Sequence, residues 1–439
     1  MRAEGAAAET GHVGNLTPDQ EKKLRQLWGL LLDAFEFDAD AARHEAAGPQ
    51  DPAVAGSREG GAAAHHEVGL GERAVRSAAA APADDALRRT WLSMLKQENP
   101  DALLLRFLRA RKWDVAQALA MLRAALLWRR DEARVDDEVL PKGEPWCAAK
   151  ERAGAGQERT DAHDYLEQLR LGKVYLRGTD RRGRPVGYVR VALHRPGAQG
   201  QAALEKLVVQ TIETARCLFT AAPPNESFCV VFDLTGFSLS NMEWQPARFV
   251  IRAFEANYPE CLGTMLIHNA PWVFSGVWKI VRGLLDPVVA AKVDFTRSVD
   301  DLERYIPREN IPCALGGADG WRYVYAEPAE DEDAGVARGA AERERITAER
   351  GAIGQRFLAA TRAWIGHVDS GEGEAAAAQE MLRREAAEAL RVNYWALDPY
   401  VRSRTYLDRA GVIRPGGSIE FYPDRTAAAA AEDLREAIR

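Results

Sequence analysis

Gly236-Phe237-Ser238-Leu239-Ser240 carries the first half of a nucleophile elbow, the sharp turn that exposes a serine for acyl chemistry. That turn needs a second glycine two residues after the serine, and Ser240 stands there instead. Ser238 therefore reads as a cap or turn residue. Gly154-Ala155-Gly156 has two glycines of a dinucleotide-binding loop. No strand precedes it and no third glycine follows at the required spacing, so it reads as linker. The sequence holds neither a phosphate-binding lysine loop nor an H-E-x-x-H pair. His65 and His66 sit in an alanine- and glycine-rich stretch. His268 ends an apolar run and reads as a structural histidine. Cys147, Cys217, Cys229, Cys261 and Cys313 are scattered, odd in number and without a C-x-x-C pair. That argues against zinc or a disulfide framework and for a reducing, intracellular setting. With no nucleophile–base pair in view, the expectation is a protein with no catalytic residues, no metal and no cofactor.

Residues 272–285 (WVFSGVWKIVRGLL) point to a different chemistry. On a helix, Trp272, Val273, Phe274, Val277, Trp278, Ile280, Val281, Leu284 and Leu285 cover most of the circumference. Such a helix is either buried or meets lipid. Gly276 and Gly283 let it flex, while Lys279 and Arg282 suit anionic headgroups.

The elements that would position these residues follow from periodicity. Thr17 can cap a helix over 18–37, with Leu24, Leu27 and Leu31 on one face. Residues 38–85 read as linker. Three helices follow within 86–134, Asp114 capping the third. Residues 91–134 carry 9 Lys/Arg against 5 Asp/Glu, a basic surface in a chain of net charge −7. That net charge argues against a general nucleic-acid binder. Beyond this, strands near 173–177, 186–193, 227–234, 264–268 and 292–295 alternate with helices near 162–171, 202–219, 245–258, 272–285 and 302–306. Alternation of this kind implies an α/β domain with a largely parallel sheet. Residues 327–350, with 8 acidic and 4 basic side chains, read as solvated linker, and 356–364 and 375–394 as helices packed on the domain. The chain thus divides into an N-terminal helix (1–37), a low-complexity linker (38–85), a helical region (86–159), an α/β domain (160–318) and an acidic linker with a helical extension (319–439).

A series of short motifs then makes a resemblance specific. Leu104–Trp113 (LLRFLRARKW) and Trp128-Arg129 come first. Phe232-Asp233-Leu234-Thr235-Gly236, Tyr258-Pro259-Glu260, Asn269-Ala270-Pro271-Trp272 and Leu285-Asp286-Pro287 follow. Lys292, Ile311-Pro312 and Leu315-Gly316-Gly317 complete the series. In this order and at this spacing they resemble the CRAL-TRIO lipid-binding family over residues 88–317, and in particular fungal phosphatidylinositol-transfer proteins. The resemblance implies a helical bundle and then an α/β domain with a deep apolar pocket closed by a mobile helix. It implies exchange of phosphatidylinositol and a second lipid with membranes, as a cytoplasmic monomer bound peripherally and transiently.

By the same resemblance, Arg111 and Lys292 hold the phosphate and Glu260 takes hydrogen bonds from inositol hydroxyls or orients the cations. Lys112 is a weaker member of that set. Val289 stands where relatives place a threonine hydroxyl. Phe228 and Val230 stand where phosphatidylcholine carriers place hydroxyl residues. An apolar wall would leave a choline phosphate unpaired, so the second ligand is expected to be sterol- or isoprenoid-like. Trp272, Phe274, Trp278, Ile280, Val281 and Leu284 are expected to line the lid and pocket with Phe228, Val230 and Val289. The alternative is a membrane-docking scaffold that presents lipid to a lipid kinase without bulk transfer.

Overall fold

The computed structural model describes residues 10–46, 86–220 and 225–426. Most of the expected linker, with His65 and His66, and the chain from residue 427 lie outside the described residues. Helix α1 (Pro18–Ala46) runs past the expected end at Phe37. Thr17 and Gln20 cap it reciprocally, Gln20 N donating to Thr17 Oγ1 and Thr17 N to Gln20 Oε1. Helices α2 (Ala86–Leu95), α3 (Pro100–Ala110) and α4 (Val115–Leu127) complete a bundle. Asn99 caps α3 ahead of Pro100, and Asp114 caps α4 as expected. Between them Lys112 (φ +51°) and Trp113 (φ +67°) are left-handed, and Trp113 N reaches back to Leu108 O at 2.7 Å.

Helix α5 (Glu144–Ala153) fills a stretch for which periodicity gave no element, and α6 (Gly156–Arg170) starts earlier than expected. The sheet then begins with β1 (Val174–Thr179) and β2 (Pro185–Arg190), followed by α7 (Gln201–Cys217), β3 (Phe228–Asp233), α8 (Trp244–Arg252) and β4 (Leu262–His268). Next come α9 (Phe274–Leu284), α10 (Pro287–Ala290), β5 (Val293–Thr296) and α11 (Val299–Glu303). Strand order is β1-β2-β3-β4-β5, antiparallel between β1 and β2 and parallel thereafter. The expected mostly parallel α/β fold is therefore the observed one.

Residues 334–369, which include much of the expected acidic linker, are largely helical: α12 (Ala334–Arg338), then α13 (Ala340–Asp369), which forms a hairpin with α14 (Gly373–Val401) ahead of α15 (Tyr406–Arg409). The reason is tertiary. Ile353, Phe357, Leu358 and Leu390 enter the same core as Trp28, Trp91 and Phe107 of the bundle. Arg350, buried, donates to the carbonyls of Leu92, Lys96 and Leu390, so it caps the C-terminal end of α2. The chain after α14 then crosses the free edge of β1. Tyr406 and Tyr422 hydroxyls accept from Leu176 N and Thr179 N, donors a sheet edge otherwise leaves bare.

A buried set of charges ties the bundle to the sheet. Glu213 on α7 meets Lys96 (3.1 Å), Arg129 (2.8 Å) and Arg216 (3.2 Å), and Tyr258 donates to it at 2.9 Å. Glu98 pairs with Arg106 and Arg216, and Asp136 with Arg129. Burial pushes the Glu213 carboxyl up, but Arg129, Lys96 and Arg216 together hold it well below the usual range.

Candidate functional site

Cross-strand register assigns each sheet residue to a face. Tyr175, Tyr188, Val231 and Leu266 share the outer face and are buried beneath Leu302, Ile306 and Ile311. The inner face carries two apolar rows: Leu176, Gly187, Val230, Met265 and Val293, then Val189, Phe232, Ile267 and Phe295. Although β3 and β4 are central strands, Val189, Phe232, Met265 and Val293 are only half-buried. Central strands whose inner face is not sealed form the floor of a groove. This floor is hydrophobic.

Helix α9 stands over the β5 end. Phe274 packs edge-on against Phe237 (5.6 Å) and Trp278 against Phe295 (5.3 Å). Only Val277 on it is buried. Ile280 and Leu284 are 54% and 44% exposed, and Val281 is half-buried. Asp286 N donates to Glu255 Oε1 at 2.6 Å, which anchors the end of α9 to the π-helical turn Ala253–Asn257. Trp272 was expected in the lid. It precedes the helix, which the left-handed turn at Asn269 and Pro271 delays, and it is 88% exposed. Phe228 is buried between Phe219 and Phe254, Val230 is buried beside it, and Val289 is half-buried in the same cluster. The enclosed cavities described lie elsewhere: none is lined by Arg111, Glu260, Lys292 or α9. At the β5 end α9 covers the floor; Val189, Phe232, Met265 and Val293 stay half-exposed, while Val230 and Ile267 are buried.

Of the expected headgroup residues, the structure brings Glu260 and Lys292 together. They pair at 2.9 Å, each about one-fifth exposed, where the chain enters β4 and β5. Glu260 holds a left-handed backbone (φ +59°), a conformation that costs a non-glycine residue about 1 kcal/mol or more. Arg111 is the half-buried C-cap of α3 and has no charged partner among the described residues; Lys112 is exposed. A residue that sequence reasoning passed over also bears on the pair. Arg109 binds Glu226 (3.0 Å) and Gly11 O (2.6 Å), and its charge acts on Glu260. Its signal was the three-residue spacing from Arg106 on an otherwise apolar helix.

His12 also meets Glu226, at 3.2 Å, so the N-terminal residues are clasped onto the start of β3. Burial raises the Glu226 carboxyl, yet the His12 hydrogen bond and Arg109 bring it to about 2 from an ordinary 4.5. A depressed carboxylate stabilises the fold fully above its ordinary value, and that stabilisation disappears as pH falls towards 2. The shift corresponds to about 3 kcal/mol. Urea unfolding at pH 6 and pH 3 should show Glu226→Gln less stable than wild type at pH 6 and the gap narrower by about 2 kcal/mol at pH 3; a constant gap at both pH values would refute the assignment.

Family models match two stretches: the CRAL/TRIO N-terminal domain over residues 74–124 and the CRAL/TRIO domain over 169–317. A CRAL-TRIO domain-containing protein of Schizosaccharomyces pombe is 41% identical across 75% of this chain and 70% of its own. The phosphatidylinositol transfer protein CSR1 of Eremothecium gossypii is 34% identical across 93% of this chain and 99% of its own.

Proposed function

Because this chain belongs to the CRAL-TRIO family of lipid-binding transfer proteins, which are not enzymes, we propose that it carries phosphatidylinositol and a second, more hydrophobic lipid between membranes. The observation that carries this reading is the half-exposed apolar floor in the middle of the sheet, with the Glu260–Lys292 pair at one end. The acyl chains lie along the floor. The phosphate takes Lys292 and Arg111, with Lys112 at the rim, and Glu260 accepts from inositol hydroxyls. The apolar side chains of Phe228 and Val230 favour a sterol- or isoprenoid-like second ligand over phosphatidylcholine.

Membrane contact is peripheral in this reading. No helix of the described residues is long and apolar enough to cross a bilayer. Trp272, Ile280 and Leu284 instead give α9 an exposed apolar surface, with Lys279 and Arg282 for anionic headgroups. The test is transfer of labelled phosphatidylinositol between phosphatidylcholine vesicles, with mass spectrometry of the lipids that copurify. Catalysed transfer and a copurified isoprenoid or sterol are expected. Absence of transfer sinks the carrier reading, and phosphatidylcholine as the dominant second lipid sinks the ligand choice.

A further inference from the structure

Three ionisable residues away from the headgroup pair form a chain behind the seat of α9. Lys173, 5% exposed and one residue ahead of β1, donates to His194 Nδ1 (3.4 Å) and to Gln199 Oε1. His194 Nε2 meets Glu243 Oε2 at 3.0 Å. An ammonium has hydrogens only to give, so Nδ1 accepts, Nε2 carries the proton and the ring is neutral. Glu243 stands at the N-cap position of α8 yet makes no capping bond; its carboxylate goes to the histidine instead. Among the described residues, Lys173 and Glu243 are the charged groups that act on the ring, and Asp164 on α6 acts in turn on Lys173.

The ring sits where two loops meet beneath α9. Asn241 Nδ2 donates to the carbonyls of Ala192 (3.2 Å) and His194 (2.8 Å), so the chain after β3 is stitched to the chain after β2. Val191, just before the histidine, packs against the cluster of Leu234, Phe237 and Ile267, as do Phe274 and Trp278 of α9. Phe237 is the ring that Phe274 meets edge-on. What holds residues 191–194 in place therefore also holds the surface on which the start of α9 rests.

We propose that protonation of His194 loosens this seat, so that α9 moves more freely and lipid exchanges faster in mildly acidic conditions. A second proton on the ring puts an N–H at Nδ1, facing the buried Lys173 ammonium; a hydrogen bond is replaced by repulsion between like charges. The link to Glu243 persists, so the loop after β2 is freed from β1 and not from α8. Burial and Lys173 hold the ring below its ordinary 6.5 in the folded protein. The seated form is thus fully favoured above 6.5 and gives way as pH falls through the lowered value. The inference rests on the carrier reading and adds a control on the rate of exchange.

The experiment measures phosphatidylinositol transfer between phosphatidylcholine vesicles at pH 5 and pH 7.5. Hydrogen exchange of residues 274–284, corrected for the intrinsic effect of pH, is the second readout. Wild type is expected to transfer at least about threefold faster at pH 5, with α9 less protected. His194→Gln keeps both links, its amide oxygen facing Lys173 and its amide nitrogen Glu243, and takes up no proton. It should stay at the slow rate at both pH values. Lys173→Met removes the opposing charge and should also bring the pH ratio near one, which keeps the test decisive if the glutamine variant does not fold. Unchanged α9 protection in wild type, unchanged transfer, or a wild-type pH ratio in His194→Gln each overturns this inference alone. Absence of transfer at both pH values sinks the carrier reading, while hydrogen exchange still decides whether His194 controls α9.

Discussion

Glu213→Leu is expected to destabilise the protein by about 3–5 kcal/mol, the largest loss from any single substitution considered. Glu213 is fully buried and is the one anion that Lys96, Arg129 and Arg216 share. Without it Arg216 keeps Glu98 and Arg129 keeps Asp136, but Lys96 retains no anion, only the backbone carbonyl of residue 213 and the face of Tyr394. Three cations in a low-dielectric interior then repel one another with too little negative charge among them. Tyr258 loses its acceptor as well, and with it the tether on the turn that delivers Glu260. Urea unfolding gives the number directly. A loss under about 1 kcal/mol would mean that the surrounding carboxylates already balance the site. Asp136→Asn is the useful comparison. Asp136 is about one-third exposed, so water relieves part of the same defect and the loss should be smaller.

Arg111→Ala combined with Lys292→Ala should lower phosphatidylinositol transfer by about a hundredfold while leaving transfer of the second, uncharged lipid within about twofold. Hydrogen bonds to charged groups contribute about 1.5–3 kcal/mol each, so two of them cover that range. The singles should be unequal. Removing Lys292 also leaves Glu260 without its partner, and an uncompensated carboxylate beside a phosphate repels it. Arg111 has no such dependent. Lys292→Ala should therefore be the more damaging single change, and equal effects would place the phosphate nearer Arg111. Loss of both lipids together would assign the double variant to misfolding of the groove. Arg109 makes a poor probe of the same question, because it also holds Glu226 and the N-terminal residues.

The sheet was largely readable from residue order. The run at 227–234 is apolar without alternation because both faces of β3 meet side chains, and β3 occupies 228–233. Capping chemistry was readable too: Thr17 and Asp114 do what short hydroxyl and carboxylate side chains do at helix starts. The C-terminal hairpin was readable as helix packed on the domain, which Tyr394 and Trp395 do, but its larger contact with the N-terminal bundle was not. Its apolar residues are too sparse to announce a core because the bundle supplies the other half. The buried charges were invisible for a related reason. Lys96, Glu98, Arg129 and Glu213 look like ordinary solvated residues along the chain, and only packing brings members more than a hundred residues apart into contact. The Glu260–Lys292 pair came from resemblance to a family; composition and periodicity gave no hint of it. The openness of the groove depends on where α9 comes to rest, which helical periodicity does not encode.

The two tyrosine hydroxyls on β1 bear on how the chain is made. Synthesis runs from the N-terminus, so all five strands emerge before Tyr406 and Tyr422 exist. Until residues 406–422 leave the ribosome, the first strand offers its amide groups to any neighbouring nascent chain. Residues 406–422 thus cap the edge of a sheet made before them, and messages cut short ahead of residue 406 should yield self-associating rather than merely less active protein.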